Sequence, residues 1–210
     1  MTTNQSIKAI VFDLGKVLVD FDYSIAIRKI AARSTISVAD LSRSITTAPL
    51  LLDYECGKLT SEEFFVRVRS ATGFQGDIEE FANLFGNIFS PIEPMIDLHR
   101  SLSGGGFPTF IFSNTNDLAV RHIRKTFPFF NRFSGYVLSY EHGSMKPAAE
   151  FYRVLEQQSG FRGPEIFYLD DRPENVAAGA ARGWQAVVHQ TPEETIRKVR
   201  ALGLLGGDSD

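Results

Sequence analysis

The sequence predicts an α/β fold: a Rossmann-like parallel sheet with helices on both faces, and an all-helical segment inserted after the first strand. Three observations carry this. Short apolar runs alternate with helical patterns through the second half, as strands joined by crossover helices do. Residues 20–90 show helical patterns and few strand signals. Several apolar runs end on Asp, Ser or paired Asp, and ligands in open α/β sheets bind beyond the carboxyl ends of strands.

The first element is the run IKAIVF from Ile7, β-branched and broken only by Lys8, which reads as a strand buried on both faces. It delivers Asp13, and Gly15 follows where backbone can approach a ligand. Alone, Asp13 reads as a strand-terminating Asp. Residues 23–33 place Ile25, Ala26, Ile27 and Ile30 at helical spacing. A second helix starts at Thr60 or Ser61 as N-cap, with Glu62 and Glu63 in its first turn, and closes at Gly73. A third carries Ile78, Phe81, Leu84, Phe85 and Ile88, and Pro91 and Pro94 mark the exit from the helical segment.

The second half alternates. MIDLHRSL is helical, and three glycines at 104–106 turn the chain into a strand over 107–113 that ends at Ser113. A helix enters through 114–117, and 136–140 is a third strand. MKPAAEFYRVLEQQSG is a helix with Pro147 near its first turn and Gly160 as terminator. Residues 165–171 form a fourth strand ending on Asp170 and Asp171, 175–182 a short helix stopped by Gly183, and WQAVVHQ a fifth strand. TPEETIRKVRALG is the last amphipathic helix, and GGDSD is expected to be a loose tail.

Composition bounds the partners. Apolar content of 43% with 22% charged residues suits a globule with a substantial core, and 18 Phe spread along the chain read as packing. A net charge of −3 gives no reason to expect nucleic acid or an anionic membrane as partner. Cys56 stands alone, so no intramolecular disulfide forms and a reducing cytoplasmic location is expected; with no His or basic cluster near it in sequence, it is a poor nucleophile candidate. The polar start MTTNQS leads straight into a strand, so no signal peptide is expected, and no apolar run is long enough to span a bilayer. The four histidines match no metal spacing and read as surface or capping residues, with His142 alone near the strand ends of interest.

Together, the strand ends present Asp13, then Ser113, Asn114 and Thr115, then Lys146 at a helix start, then Asp170 and Asp171. Carboxylates converging from separate strands suit a hard, oxygen-seeking cation, most simply Mg²⁺. A hydroxyl, backbone N–H groups and a Lys suit an anion with several oxygens, most simply phosphate.

The motifs VFDLGKV, FSNTN, MKP and YLDDRPENV, in this order, make the chain resemble the haloacid dehalogenase-like hydrolase superfamily across nearly its whole length, and more narrowly its small bacterial sugar-phosphate phosphatases with DLGNV in the first motif. The resemblance implies a core of residues 1–19 and 91–210, with residues 20–90 as a helical cap over the active site. It implies Asp13 as nucleophile and metal ligand, Ser113 on the phosphoryl oxygens with Asn114 in support, and Lys146 holding Asp13 and phosphate. It further implies Mg²⁺ on Asp171, helped by Asp170, with the Gly15 carbonyl facing the metal. A small phosphorylated metabolite, best guessed as a sugar phosphate, is then the expected substrate.

One position departs from the pattern. Most phosphatases of the family carry a second Asp two residues after the nucleophile, as general acid and base, and here that residue is Gly15. Losing such a group costs roughly 10²–10⁴ in rate if nothing replaces it. Asp20 and Asp22 are the nearest substitutes in sequence, though a local hydrogen-bonding role at the cap hinge explains them as well. Lys16 stands where Asn or Gly is expected, either reaching an anionic substrate or solvated. Two other functions remain open: a 2-haloacid dehalogenase using Asp13 without metal, and a non-catalytic ligand-binding homologue that has lost its acid–base group.

Overall fold

The computed structural model describes residues 6–46 and 49–205; the expected GGDSD tail and the first five residues lie outside them. The chain enters through β1 (Ala9–Phe12), all four residues buried. It runs through β2 (Val19–Phe21), then α1 (Tyr23–Ala31), α2 (Val38–Thr46), α3 (Pro49–Glu55), α4 (Ser61–Thr72) and α5 (Ile78–Gly86), to β3 (Phe89–Pro91). It continues through α6 (Glu93–Gly104), β4 (Thr109–Ser113), α7 (Asp117–Thr126), a 3₁₀ turn at Pro128–Arg132, β5 (Gly135–Leu138), α8 (Ser139–His142) and α9 (Ala149–Ser159). The last elements are a 3₁₀ turn at Gly163–Glu165, β6 (Ile166–Asp170), α10 (Pro173–Ala180), β7 (Gln185–Val188) and α11 (Pro192–Ala201).

Among the described residues, five strands form one parallel sheet in the order β5-β4-β1-β6-β7. The first strand in sequence is thus the central one, buried on both faces. Its alternating side chains feed two cores: Ile10 and Phe12 pack with Leu98, Val120, Ile123 and Val199 on one face, and Ala9 and Val11 with Phe151, Tyr152 and Leu155 on the other. Short strands with both faces covered are the expected outcome of β-branched runs in crossover connections.

The helical insertion has a core of its own. Phe64, Phe65, Phe74, Phe81 and Phe85 pack with Ala26, Ile27 and Ile30, and Leu118 from α7 joins them. Reciprocal capping boxes start α4 at Thr60 and α5 at Asp77, and α4 ends on Gly73 in the left-handed region. Entry and exit run side by side, because β2 and β3 pair antiparallel, with Val19 opposite Pro91 and Phe21 opposite Phe89. Neither strand is legible in the sequence: each has three residues, and Pro91 reads as a breaker. Pro94 lies in the first turn of α6, a position that needs no N–H donor.

The third strand stops at Leu138, where Ser139 and Tyr140 begin α8 instead of extending it. Two histidines expected at the surface are buried: His99 stacks on Phe133 and meets Thr109 Oγ1 at 3.1 Å, and His189 meets Thr195 Oγ1 at 2.8 Å. Burial, with Arg100 and Arg132 nearby, pushes the His99 imidazole down to about 4, so it packs as a neutral ring. His142 meets Gln158 and the Phe151 ring rather than the strand ends of interest. No helix among the described residues is long and apolar enough to cross a membrane.

Candidate active site

Asp13 follows the end of β1, Ser113 ends β4, Asp170 ends β6, and Lys146 lies on the connection before α9. Asp13, Gly15, Ser113, Asn114, Lys146 and Asp171 line one cavity of about 330 Å³, together with Phe21, Tyr23, Leu51, Leu52, Glu55 and Phe89 of the helical insertion. A second hollow, beside α6 and the Pro128–Arg132 turn, is lined by none of the predicted site residues.

Lys146 organises the floor. Its side chain is 1% exposed, and its Nζ lies 2.6 Å from Asp170 Oδ2, 3.1 Å from Asp13 Oδ1 and 2.8 Å from the Phe112 carbonyl. Those partners account for all three ammonium protons. Asn114 fixes the backbone under it: Asn114 Nδ2 donates to the Lys146 carbonyl at 2.9 Å, and Lys146 N–H donates to Asn114 Oδ1 at 2.8 Å. Asn114, expected to support phosphate binding, has both ends of its amide engaged in positioning Lys146. Ser113 is buried, and its Oγ makes only a long contact of 3.4 Å with the Asn114 carbonyl.

Asp170 is fully buried and saturated. Oδ1 accepts from Arg172 N–H at 2.8 Å and Asn175 Nδ2 at 3.0 Å, and Oδ2 from Lys146 and the Tyr168 hydroxyl. Burial pushes its carboxyl up, but the Lys146 ammonium and these donors outweigh that and hold it below the usual range. Asp171, half-buried at the cavity, is raised by burial and by Asp170. Asp13 takes Leu14 N–H at 2.6 Å and Lys146 on Oδ1, which leaves Oδ2 for the cavity. Burial pushes its carboxyl up to about 7 against the pull of Lys146, with Asp170 and Asp171 adding to the rise. Carboxylate oxygens of Asp13, Asp170 and Asp171 lie within 4.8 Å of one another. Oxygen-only donors, mutually repelling and drawn from two strand ends, fit a divalent cation of the Mg²⁺ type.

Gly15 is required where it stands. A Cβ there would lie 2.8 Å from Phe21 Cε1, and that ring is packed by Tyr23 and Phe89. Lys16 adopts φ 59, a left-handed conformation that explains the expected Asn or Gly. Its Nζ pairs with Asp20 and donates to the Phe21 carbonyl at 2.9 Å. Asp22 caps α1 through Ser24 N–H. Both acidic substitutes are therefore engaged in local structure at the base of the insertion.

Sequence reasoning missed Tyr168, Asn175, Ser139 and Glu55. Tyr168 precedes Asp170 by two residues on one strand face, and Asn175 sits in the first turn of α10; both spacings were visible. Ser139 accepts from Thr115 N–H at 2.9 Å, and its Oγ lies 2.6 Å from the Glu55 carbonyl, a tie between distant segments that no local pattern signals.

The haloacid dehalogenase-like hydrolase family model matches residues 7–183. The chain is 27% identical over 179 residues to a sesquiterpene phosphatase of Aspergillus oryzae, covering 84% of this chain and 86% of that one. It is 24% identical over 193 residues to a D-ribitol-5-phosphate phosphatase of Bacteroides thetaiotaomicron, covering 85% and 90%. Its fold is similar to a family enzyme of Bacteroides thetaiotaomicron crystallised with magnesium and inorganic phosphate, with a TM-score of 0.78, 23% identity, and coverage of 87% and 93%.

Proposed function

The chain belongs to the haloacid dehalogenase-like hydrolase family, and from that membership we propose that it is a Mg²⁺-dependent phosphomonoester hydrolase of a small phosphorylated metabolite. The observation that carries the reading is the convergence of Asp13, Lys146 and Asp171 on one cavity, with Asp170 directly behind. Both curated relatives named above are phosphatases, and the structural neighbour was crystallised with magnesium and phosphate.

Asp13 Oδ2, free of the bonds that hold Oδ1, attacks phosphorus; the ester P–O bond breaks and the alcohol departs. Water then attacks the aspartyl-phosphate, releasing phosphate and restoring the carboxylate. Lys146 holds Asp13 in line and neutralises negative charge as the phosphoryl group is transferred. Ser113 Oγ, with no strong partner of its own, donates to a phosphoryl oxygen. Asp13, Asp171 and the Gly15 carbonyl, with Asp170 in support, would hold Mg²⁺, which when bound supplies positive charge against the phosphoryl oxygens. The helical insertion covers the site as a cap, and its Phe21, Leu51 and Phe89 meet the part of the substrate beyond the phosphate. A sugar phosphate is the first substrate class to test, and this apolar lining adds prenyl monophosphates to the panel.

The test is phosphate release from p-nitrophenyl phosphate and a panel of sugar, nucleotide and prenyl monophosphates, with Mg²⁺, with EDTA, and for Asp13→Asn. The expected result is release that stops with EDTA and falls at least about 10³-fold in the variant, as loss of a covalent nucleophile does. Release that survives both treatments overturns the reading, and chloride release from 2-haloacids without metal replaces it with a dehalogenase.

A further inference from the structure

We propose that Glu55, carried into the site by the helical cap, is the general acid and base of this reaction, in place of the side chain that Gly15 lacks; the proposal rests on the phosphatase reading above. Three independent features support it. The space beside Gly15 is filled by the Phe21 ring, so the acid must come from elsewhere. Asp20 and Asp22, the nearest carboxylates in sequence, are bound up with Lys16 and with the start of α1. Glu55, at the end of α3, lines the same cavity as Asp13.

Its position is built, not incidental. Ser139 Oγ lies 2.6 Å from the Glu55 carbonyl and accepts from Thr115 N–H, so one hydroxyl ties the end of α3 to the loop that follows Ser113. Tyr54, the preceding residue, accepts from Leu118 N–H at 3.1 Å. Two residues on, Gly57 has φ +70, and a Cβ there would lie 2.1 Å from the Tyr140 carbonyl. That contact brings the loop after Glu55 against the core more closely than any side chain allows.

The Glu55 carboxylate has no cationic partner among the described residues; the Tyr23 hydroxyl on α1, 3.4 Å away, donates its one side-chain hydrogen bond among them. The cations around the cavity are committed elsewhere, Lys16 to Asp20, Lys146 to Asp13 and Asp170, Arg172 to Glu174, and its other carboxylates are Asp13 and Asp171. On the helices packed against α3, Asp40 pairs with Arg43, Glu63 caps at Thr60, Glu141 accepts from Tyr140 and His142 meets Gln158. Burial pushes the Glu55 carboxyl up to about 7, with the Tyr23 hydroxyl pulling the other way, so both protonation states are accessible near neutral pH. In the first step protonated Glu55 gives its proton to the ester oxygen as the P–O bond breaks. In the second, the Glu55 carboxylate takes a proton from the water that attacks the aspartyl-phosphate. The cycle consumes one ester and one water and returns one alcohol and one phosphate, with Glu55 and Asp13 regenerated.

The experiment compares phenyl phosphate, whose leaving group needs protonation, with p-nitrophenyl phosphate, whose leaving group departs readily without it. The full chain with Mg²⁺, Glu55→Gln and Glu55→Asp are each followed across the pH range, in the steady state and in the first-turnover burst. The expected result for Glu55→Gln is a fall in kcat on phenyl phosphate of roughly 10²–10⁴ with KM little moved. The burst on p-nitrophenyl phosphate falls much less, the alkaline limb of the first-turnover pH profile on phenyl phosphate disappears while the acid limb set by Asp13 stays, and Glu55→Asp recovers part of the rate. An equal loss on both esters with the pH profile unaltered, or no loss at all, overturns the role of Glu55. Turnover that requires Asp13 but ignores Glu55 overturns this proposal alone; no turnover by the unaltered protein overturns the phosphatase reading along with it.

Discussion

Lys146 and Asp170 make a buried ion pair at 2.6 Å whose members are exposed by 1% and 0%. Such a pair adds little stability over an apolar pair of the same shape, yet removing one member leaves the other charged and dry. Lys146→Met is therefore expected to cost about 3–5 kcal/mol at neutral pH. The sign of its pH dependence follows from Asp170, which the pair holds below the usual carboxylate range. A depressed carboxyl contributes stability above its unfolded value and loses it as pH falls through the folded one. Without Lys146 the Asp170 carboxyl rises and takes a proton, so the gap between the two proteins narrows toward acid. Urea denaturation in EDTA at two pH values checks this: a cost below about 1 kcal/mol, or one equal at both pH values, is inconsistent with a buried pair of this kind.

The elements differ in how openly the sequence displays them. β1, β4 and β6 were legible because a strand buried on both faces must be a continuous apolar run, and each ends on a residue of distinct chemistry. α4 and α5 announce their starts through capping boxes. β2 and β3 were not legible, since three-residue strands exist only because the two linkers of the insertion meet. The candidate-site positions at strand ends could be read; the placement of Glu55 and Ser139 could not, because it comes from docking one core against another. The insertion's separate aromatic core gives the element-level prediction. Phe81 is fully buried and touches Phe64, Phe65, Phe74 and Phe85. Phe81→Ala should cost about 3–5 kcal/mol within that core. Native-state hydrogen exchange should then quicken across α1 to α5 while the amides of β1, β4 and β6 keep their protection. Uniform loss of protection would mean that insertion and sheet unfold as one unit.

At the scale of the whole molecule, the contacts that join insertion and sheet include, besides Leu118 in the insertion's apolar core, four at the α3–α4 end: Ser139 with the Glu55 carbonyl, Tyr54 with Leu118 N–H, Ser61 with Asp117 at 2.6 Å, and Gly57 against Tyr140. Three are hydrogen bonds that water replaces at modest cost. The fourth is steric. The 2.1 Å approach of a Gly57 Cβ to the Tyr140 carbonyl is to backbone, so no rotamer change relieves it, and the positive φ penalises any side chain besides. Gly57→Ala should therefore lift the end of α3 away from α8 without touching the sheet. Displacements of about 1 Å at catalytic groups cost on the order of 10²-fold in rate. The expected outcome is a fall of that size in kcat/KM for phosphomonoesters, with exchange quickening at residues 49–61 and protection in β1 and β4 retained. If exchange quickens there but turnover is normal, the chemistry does not need the cavity residues that the helical insertion supplies; if both are normal, the loop has another way to settle on the core.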